Sequence, residues 1–403
     1  MRRVYELIVE WMLKFSGYIT SFVIILIILF LFFEAGGLFK NKEIEEGYVI
    51  AVNKSNPINV LNAEQIKNIF DEEYLNWNQL GGRDEKIVVF RLESIDKYFT
   101  KEELGENYEH VDKCIDKVVA EKKGIIAFVP SQFITDKFHG KLLDDKNINF
   151  DEVFLGKEWF PTATPSAQFG FIPLITGTLW VSFFAILFSL PFGLSVAVYM
   201  SEVASHRVRN FLKPIIELLN GIPSVVFGFF GLVVIVPLIQ ELFNLPVGES
   251  GLAGSIVLAI MALPTIITIS EDSLRNCPRS MREASLALGA TKWQTIYKVV
   301  IPFSMSGITS AVVLGIGRAI GETMAVLMVT GNAAVIPSSL LEPLRTIPAT
   351  IAAELGEAPA GGAHYQALFM LGVVLFVITF VINTTVEFVT SRMSFNRKLK
   401  NSL

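Results

Sequence analysis

Apolar positions follow two different rhythms along this chain. Over residues 18–39, 174–200, 214–239, 251–269, 303–329 and 367–389 most positions are apolar. A helix needs about 20 apolar residues to cross the hydrocarbon layer of a bilayer, so these runs predict six transmembrane helices. Over residues 41–160 the rhythm shortens. "YVIAVNKS", "KIVVFRL" and "IIAFVP" are brief β-branched runs that predict strands. "NAEQIKNIF" and "HVDKCIDKVVAEKKG" repeat apolar residues at helical spacing. The first is expected to open on an Asn62–Gln65 capping box and the second to close at Gly124.

The first apolar run is longer than a signal-peptide core and ends in "FFEAGGLFK" without a clear cleavage site, so it is expected to be retained. Lys and Arg in short loops set orientation. Arg2, Arg3 and Lys14 precede the first span, and Arg207, Arg209 and Lys213 lie between the second and third. Arg275, Arg279, Arg282, Lys292 and Lys298 separate the fourth and fifth, and Arg392, Arg397, Lys398 and Lys400 follow the sixth. The connection "QELFNLPVGESG" carries no base. Both termini are therefore expected in the cytoplasm of a multi-pass protein of the plasma (inner) membrane, with residues 41–160 outside.

Charge sharpens this division. Residues 41–160 carry about 24 acids and 16 bases, and the remaining chain about 15 and 18, so a soluble acidic segment interrupts a slightly basic apolar chain. The charged fraction is 18% and the mean hydropathy +0.50, against about 25% charged residues in soluble chains. The two cysteines, Cys114 and Cys277, are far apart and give neither a disulfide framework nor a metal site. No cofactor and no nucleic-acid partner is expected. Pro191, Pro223, Pro237 and Pro264 within the spans predict kinks in a packed bundle. The glycines of "VVFGFFGL" predict close helix approach.

The loop "SEDSLRNCPRSMREASLALGATKWQTIYKVVIP" carries two helix starts, Ser280 with Glu283 and Thr291 with Gln294, separated by Gly289. It predicts a helical elbow with an apolar side of Leu286, Leu288, Trp293 and Ile296. Glu283, Ala284, Ser285, Gly289, Val299, Ile301 and Pro302 fit the spacing of the "EAA" motif of ABC-importer permeases, with Ser285 in place of the second Ala. The resemblance implies that Glu283, Ala284, Gly289 and Pro302 belong to an elbow, residues 279–302, that docks into a cytoplasmic ATPase. The chain has no G-x-x-x-x-G-K-[ST] phosphate loop of its own, nor a G-x-S-x-G or H-E-x-x-H motif, so it is expected to be a transport subunit and not an enzyme.

"ELLNGIPSVVFGFFGL" and "GIGRAIGETMAVLMVTGN" resemble the PstC-type permeases of phosphate ABC importers. That family's R-x-x-G-E position implies a role in translocation for Arg318 and Glu322. On the residues alone, two ionisable groups four apart fit an i,i+4 pair on one helix face, with the neighbouring backbone uncrowded at Gly315 and Ala319. A guanidinium fork matches a tetrahedral oxyanion, and intramembrane charges are costly unless paired or functional. Glu217 and Asn220, and Asn383, Thr384 and Thr385, are expected to be helix-packing hydrogen bonders. The alternatives are another oxyanion, such as sulfate or molybdate, a phosphate-sensing receptor, or a secondary transporter without an ATPase.

The run from Asn53 to Arg91 resembles one lobe of a PstS-type phosphate-binding protein, through Asn56-Pro57, "IKNIF", Asn76-Trp77 and Gly81-Gly82. Arg91 is followed by "LESIDKYF" where that family has a Ser-Gly-Thr turn, so a docking platform or a lid over the outer mouth is expected in place of an anion site. The expected whole is an all-α polytopic membrane protein of the ABC-importer type I permease fold with an inserted extracytoplasmic α/β domain. Residues 1–40 hold the first helix, 41–165 the insert, 166–395 the permease core and 396–403 a cytoplasmic tail. The resemblance implies four kinds of partner besides the lipid membrane: a PstA-type second permease subunit, a PstB-type ATPase dimer, a PstS-type external binding protein, and phosphate.

Overall fold

A computed structural model of the chain describes residues 2–105 and 108–400. The end of the tail expected at 396–403 lies outside the described residues, as do the side chains of Arg2, Arg3 and the tail bases from Arg392 to Lys400. The chain divides into two compact units. One holds Met1–Phe171 and Pro359–Ala367, the other Ile172–Ala358 and Leu368–Leu403.

In the first unit, helix α1 (Arg2–Gly37) is followed by strand β1 (Tyr48–Val52), helix α2 (Ala63–Phe70) and strand β2 (Val88–Arg91). Next come α3 (Lys101–Leu104), α4 (Val111–Glu121), β3 (Ile125–Pro130), β4 (Lys141–Leu142) and α5 (Phe150–Leu155). Strands β5 (Trp159–Phe160) and β6 (Gln168–Phe169) form a separate two-stranded sheet. The main sheet has the order β2-β3-β1-β4, with β2 parallel to β3 and the other pairs antiparallel.

Side chains alternate across a strand, and here both faces are apolar. Ile125, Ala127 and Val129 pack with Ile115, Val118 and Val119 of α4, while Ile126 and Phe128 pack with Ile66, Ile69 and Phe70 of α2. The result is a three-layer α/β domain, matching the three strands and two helices read from the sequence. The Asn62–Gln65 capping box is present. Gly124 does not cap α4, which ends at Glu121 and is followed by Lys122 in extended conformation. Its hydrogen is needed elsewhere: a Cβ there would lie 2.1 Å from the Lys86 carbonyl oxygen.

In the second unit, α6 (Ile172–Val203) precedes an amphipathic helix α7 (His206–Asn220), followed by α8 (Ser224–Phe243) and α9 (Gly251–Arg275). Then come α10 (Arg279–Ala287), α11 (Lys292–Phe303), α12 (Met305–Gly321), α13 (Met324–Val329), α14 (Ile347–Glu354) and α15 (Ala363–Lys400). Among the described residues five helices are long and apolar enough to cross a membrane, or six if α11 and α12, bent by 67°, count as one span. The third expected span was placed too early. Residues before Gly221 belong to α7, because Pro223 begins a new helix at Ser224. The fifth span breaks twice, at Ser304 and at Glu322–Thr323.

Helix α9 is the centre of this unit. Ala253, Val257, Leu258 and Met261 pack with Val181 and Ala185 of α6, Phe227 and Val236 of α8, Ala319 of α12 and Val326 of α13. Close approach falls where the glycines were read: a Cβ on Gly228 would lie 3.0 Å from Ala325 Cα, and one on Gly231 2.8 Å from Val329. Gly315, by contrast, is not uncrowded; a Cβ there would meet Ile266 at 3.2 Å.

One carboxyl of the first unit sits in an unfavourable place. Glu43 is 5% exposed; no N–H group among the described residues donates to its carboxyl, which instead faces the Glu152 carboxyl at hydrogen-bonding range. Burial, and then the neighbouring Glu152 carboxylate, push it from 4.5 up to about 8, with Lys146 opposing and Asp145 adding to the shift. Between those values the unfolded carboxyl is ionised while the folded one keeps its proton, so the folded state loses stability as pH rises through the window. Glu43→Gln should therefore raise the thermal unfolding midpoint of the purified chain, by more at pH 8 than at pH 5.5. Equal gains at both pH values would show that Glu43 does not titrate in this way.

Candidate functional site

Two constellations in the second unit carry chemistry. The first surrounds Arg318. Helix α12 places it one residue before Ala319, which is buried in the bundle core. With Ala319 turned inward, the long Arg318 side chain is half-buried and reaches two neighbouring helices. Its Nη1 donates to Asn220 Oδ1 at 3.2 Å and to Thr265 Oγ1 at 3.4 Å. The Thr265 hydroxyl in turn donates to Asn220 Oδ1 at 3.4 Å. Asn220 is the last residue of α7 and Thr265 lies in α9, so three helices meet at one guanidinium.

Glu322 is not part of this cluster. The expected i,i+4 pair needs a continuous helix, but α12 ends at Gly321 and Glu322 is extended, with φ −70° and ψ 131°. Its Oε1 instead accepts from Ala325 N at 3.5 Å, near the start of α13. A carboxylate there meets unpaired backbone N–H groups, so the charge is engaged locally. Glycines at 317 and 321 weaken the last turn of α12, which accounts for the break.

The second constellation is the elbow. Glu283 and Ala284 are exposed on α10, and Gly289 has φ +83° with open space around it. Only glycine adopts that conformation without strain. Thr291 and Gln294 form the expected capping box at the start of α11. Ser280 does not cap α10, because the helix begins at Arg279 after Pro278, two residues too soon for Ser280 to serve. Pro302 lies at the end of α11, in the first turn of a helical segment where a missing N–H costs little. Leu286, Leu288 and Trp293 are exposed while Ile296 is buried, so the apolar side is split between an outer face and the interior.

Ion pairs fix the elbow and α7 to the bundle, and the loop charges that set orientation in the sequence gave no sign of them. Arg282 meets Glu202 at 2.7 Å and 3.3 Å, at the end of α6, and donates to the carbonyls of Leu274 and Cys277. Ser285 and Thr295 join α10 to α11 by a 2.9 Å hydroxyl bond. The bend at Ser304 is held by reciprocal bonds with Ser273 of α9. Glu271, fully buried in α9, receives Arg209 at 2.8 Å and Lys213 at 3.0 Å from α7, with Arg275 at 3.7 Å. Burial works against the Lys213 charge, but Asp272 and Glu271 outweigh it and hold the ammonium above its usual range.

Arg91, the position matching an anion-binding arginine in the lobe resemblance, is otherwise engaged. Its guanidinium lies 5.3 Å from the Phe70 ring centroid and donates to the Phe70 carbonyl at 3.4 Å. A short 3-10 helix, Leu92–Lys97, follows it. The first unit therefore shows no counterpart of the Arg318 arrangement at this arginine.

A bundle of membrane-length helices, holding one guanidinium with neutral groups and fastening a helical elbow by ion pairs, is built as a membrane transport subunit. The chain belongs to the family described as binding-protein-dependent transport system inner membrane component, whose family model matches residues 189–395. It is 41% identical over 241 residues to a probable ABC transporter permease protein, YqgH, of Bacillus subtilis, covering 60% of this chain and 78% of that protein. It is 37% identical over 260 residues to the phosphate transport system permease protein PstC of Mesorhizobium japonicum, again covering 60% and 78%. Among solved structures, an inward-facing MetNI methionine ABC transporter is similar with a TM-score of 0.43 and 20% identity, covering 54% of this chain and 92% of that one.

Removing the Glu271 carboxylate would leave Arg209 and Lys213 without their buried partner. Breaking such a pair costs roughly 3–5 kcal/mol, with the partial exposure of the two bases placing this case at the low end. Glu271→Ala should thus lower the thermal midpoint of the purified chain and free α7 to exchange amide hydrogens faster. Unchanged exchange in residues 206–220 would show that the clamp does not hold the helix.

Proposed function

We propose that this chain is the permease subunit of an ATP-driven phosphate importer. It would form the path with a second permease subunit of PstA type and couple to a PstB-type ATPase dimer. An external PstS-type binding protein would deliver phosphate. The observation that carries this reading is the guanidinium of Arg318, half-buried among membrane-length helices and held by Asn220 and Thr265 without a carboxylate. A cation placed in lipid costs at least ~2.5–3.5 kcal/mol on insertion scales, a cost that a structural role alone does not explain. The likeness to PstC-type permeases over 60% of the chain supports phosphate as the anion.

The elbow supplies the coupling. Exposed Glu283, Ala284, Leu286 and Leu288 on α10, ending at the left-handed Gly289, offer a small protruding surface on a rigid support. Arg282 ties that surface to Glu202 and α6, so a push on α10 is passed to the bundle. Glu322 takes part in translocation apart from the Arg318 contact, its carboxylate facing the start of α13. In this reading both termini and the elbow face the cytoplasm of the plasma (inner) membrane. Residues 166–395 form the permease core, and residues 41–165 are an extracytoplasmic domain that serves as a docking platform or lid. Residues 1–40 carry the first helix and 396–403 a cytoplasmic tail.

Labelled phosphate uptake into vesicles carrying the assembled importer tests the path. Arg318→Ala should reduce uptake at least ~100-fold, and sulfate should compete poorly with phosphate in the wild type. Uptake at the normal rate in Arg318→Ala would remove Arg318 from the path. A second test addresses the elbow. Gly289→Pro imposes a φ near −65° on a residue held at +83°, so the ATPase should no longer co-purify with the permease. Retention of the ATPase in full amount would separate the elbow from docking.

A further inference from the structure

The way Arg318 is held says more than that it is present. A guanidinium has five N–H donors. Its two Nη1 hydrogens are taken by Asn220 Oδ1 and Thr265 Oγ1. The Nε and Nη2 edge, which can grip a carboxylate or a tetrahedral oxyanion with two parallel bonds, has no partner among the described residues. Nor does any carboxylate lie within ion-pair distance of Arg318 among those residues, because Glu322 is turned to the start of α13. Asn220 is exposed in this chain and its amide N–H groups have no partner among the described residues.

We propose that Asn220, seconded by Thr265, is a positioning residue that presents Arg318 to phosphate with its charge uncompensated. The inference rests on the reading of Arg318 as the anion contact. An amide oxygen fixes the orientation of a guanidinium about as well as a carboxylate does, but it carries no net charge. The full positive charge therefore stays available, and an incoming oxyanion displaces no resident anion. The hydrogen bond from Thr265 to Asn220 orients the amide so that its oxygen faces Arg318 and its N–H groups face away from that bond. The free Arg318 edge and the free Asn220 amide together supply donors only, the complement of an acceptor-rich oxyanion.

Isosteric charge substitution separates this role from a packing role. Uptake of labelled inorganic phosphate is measured across a concentration range in vesicles carrying the assembled importer. Asn220→Asp keeps the shape and bonds Arg318 more strongly, yet cancels its charge. It should raise the KM for phosphate roughly tenfold or more. Asn220→Ser, a neutral acceptor, should raise it by less than about threefold. A purely structural role predicts the reverse order, since a carboxylate secures an arginine better than a hydroxyl does. Thr265→Asp brings a carboxylate to the same guanidinium from α9 and should reproduce the rise. It serves as the measurement if Asn220→Asp does not assemble. A wild-type KM in an assembled carboxylate variant overturns the proposal. If Arg318→Ala is inactive at the same time, only the positioning role is lost. If Arg318→Ala transports normally, the reading of Arg318 itself has failed.

Discussion

A guanidinium among membrane-length helices has to be solvated by the protein itself, and this constraint organises the second unit. Arg318 is solvated by one amide and one hydroxyl, each from a different helix. The bonds are 3.2 Å and 3.4 Å long, toward the weak end of useful hydrogen bonds, so they work only if α7, α9 and α12 keep their spacing. Small residues secure that spacing. Gly315 and Ala319 let α12 close on α9, and Ala319 in the core sets the rotation of α12 that points Arg318 toward Asn220.

Helix α7 links this site to the charged edge of the bundle. Arg209 and Lys213 at one part of α7 grip Glu271 of α9, and Asn220 at its end meets Thr265 of the same helix. The two attachments differ in kind. The first is a buried, charge-assisted clamp, and the second is a pair of neutral hydrogen bonds. A shift of α7 against α9 would therefore break the Asn220–Thr265–Arg318 bonds long before it broke the clamp. That gives the Arg318 cluster a way to change while the Glu271 clamp persists. The elbow is tied to α6 through Glu202 by a bidentate arginine pair, the geometry suited to passing force between rigid elements.

Much of this was legible in the sequence, and the failures share a physical cause. Hydropathy located the membrane-length helices because bilayer thickness imposes a length on apolar runs. It could not see that residues 214–220 belong to a separate amphipathic helix, because the apolar run continues through Gly221 and Ile222 to the next one. The Arg318–Glu322 spacing implied an ion pair only if the helix continued past Gly321, and local glycines ended it. Capping boxes were right at Asn62 and Thr291, where the residue before the helix is free to extend. The box failed at Ser280, where Pro278 starts the helix earlier. Asn220 was read as a hydrogen bonder near a helix end. Its partner was not readable, since that partner lies 98 residues away in sequence.

The acidic segment poses a different problem: how a domain of its own core can interrupt a membrane protein. Its sheet is covered by helices on both faces, so its apolar surface is buried within the unit. Its two ends are brought together. Lys42 bridges Asn147, Ile44 bridges Ser166, and Ser166 Oγ donates to the Glu43 carbonyl at 2.9 Å. A domain whose entry and exit adjoin can replace a short connection without moving the flanking chain. The buried Glu43 carboxyl lies in this closing segment, where its protonation decides whether the ends carry one buried negative charge or none. The junction that closes the domain is thus also a place where it is sensitive to pH, because the backbone pairing there draws Glu43 out of water.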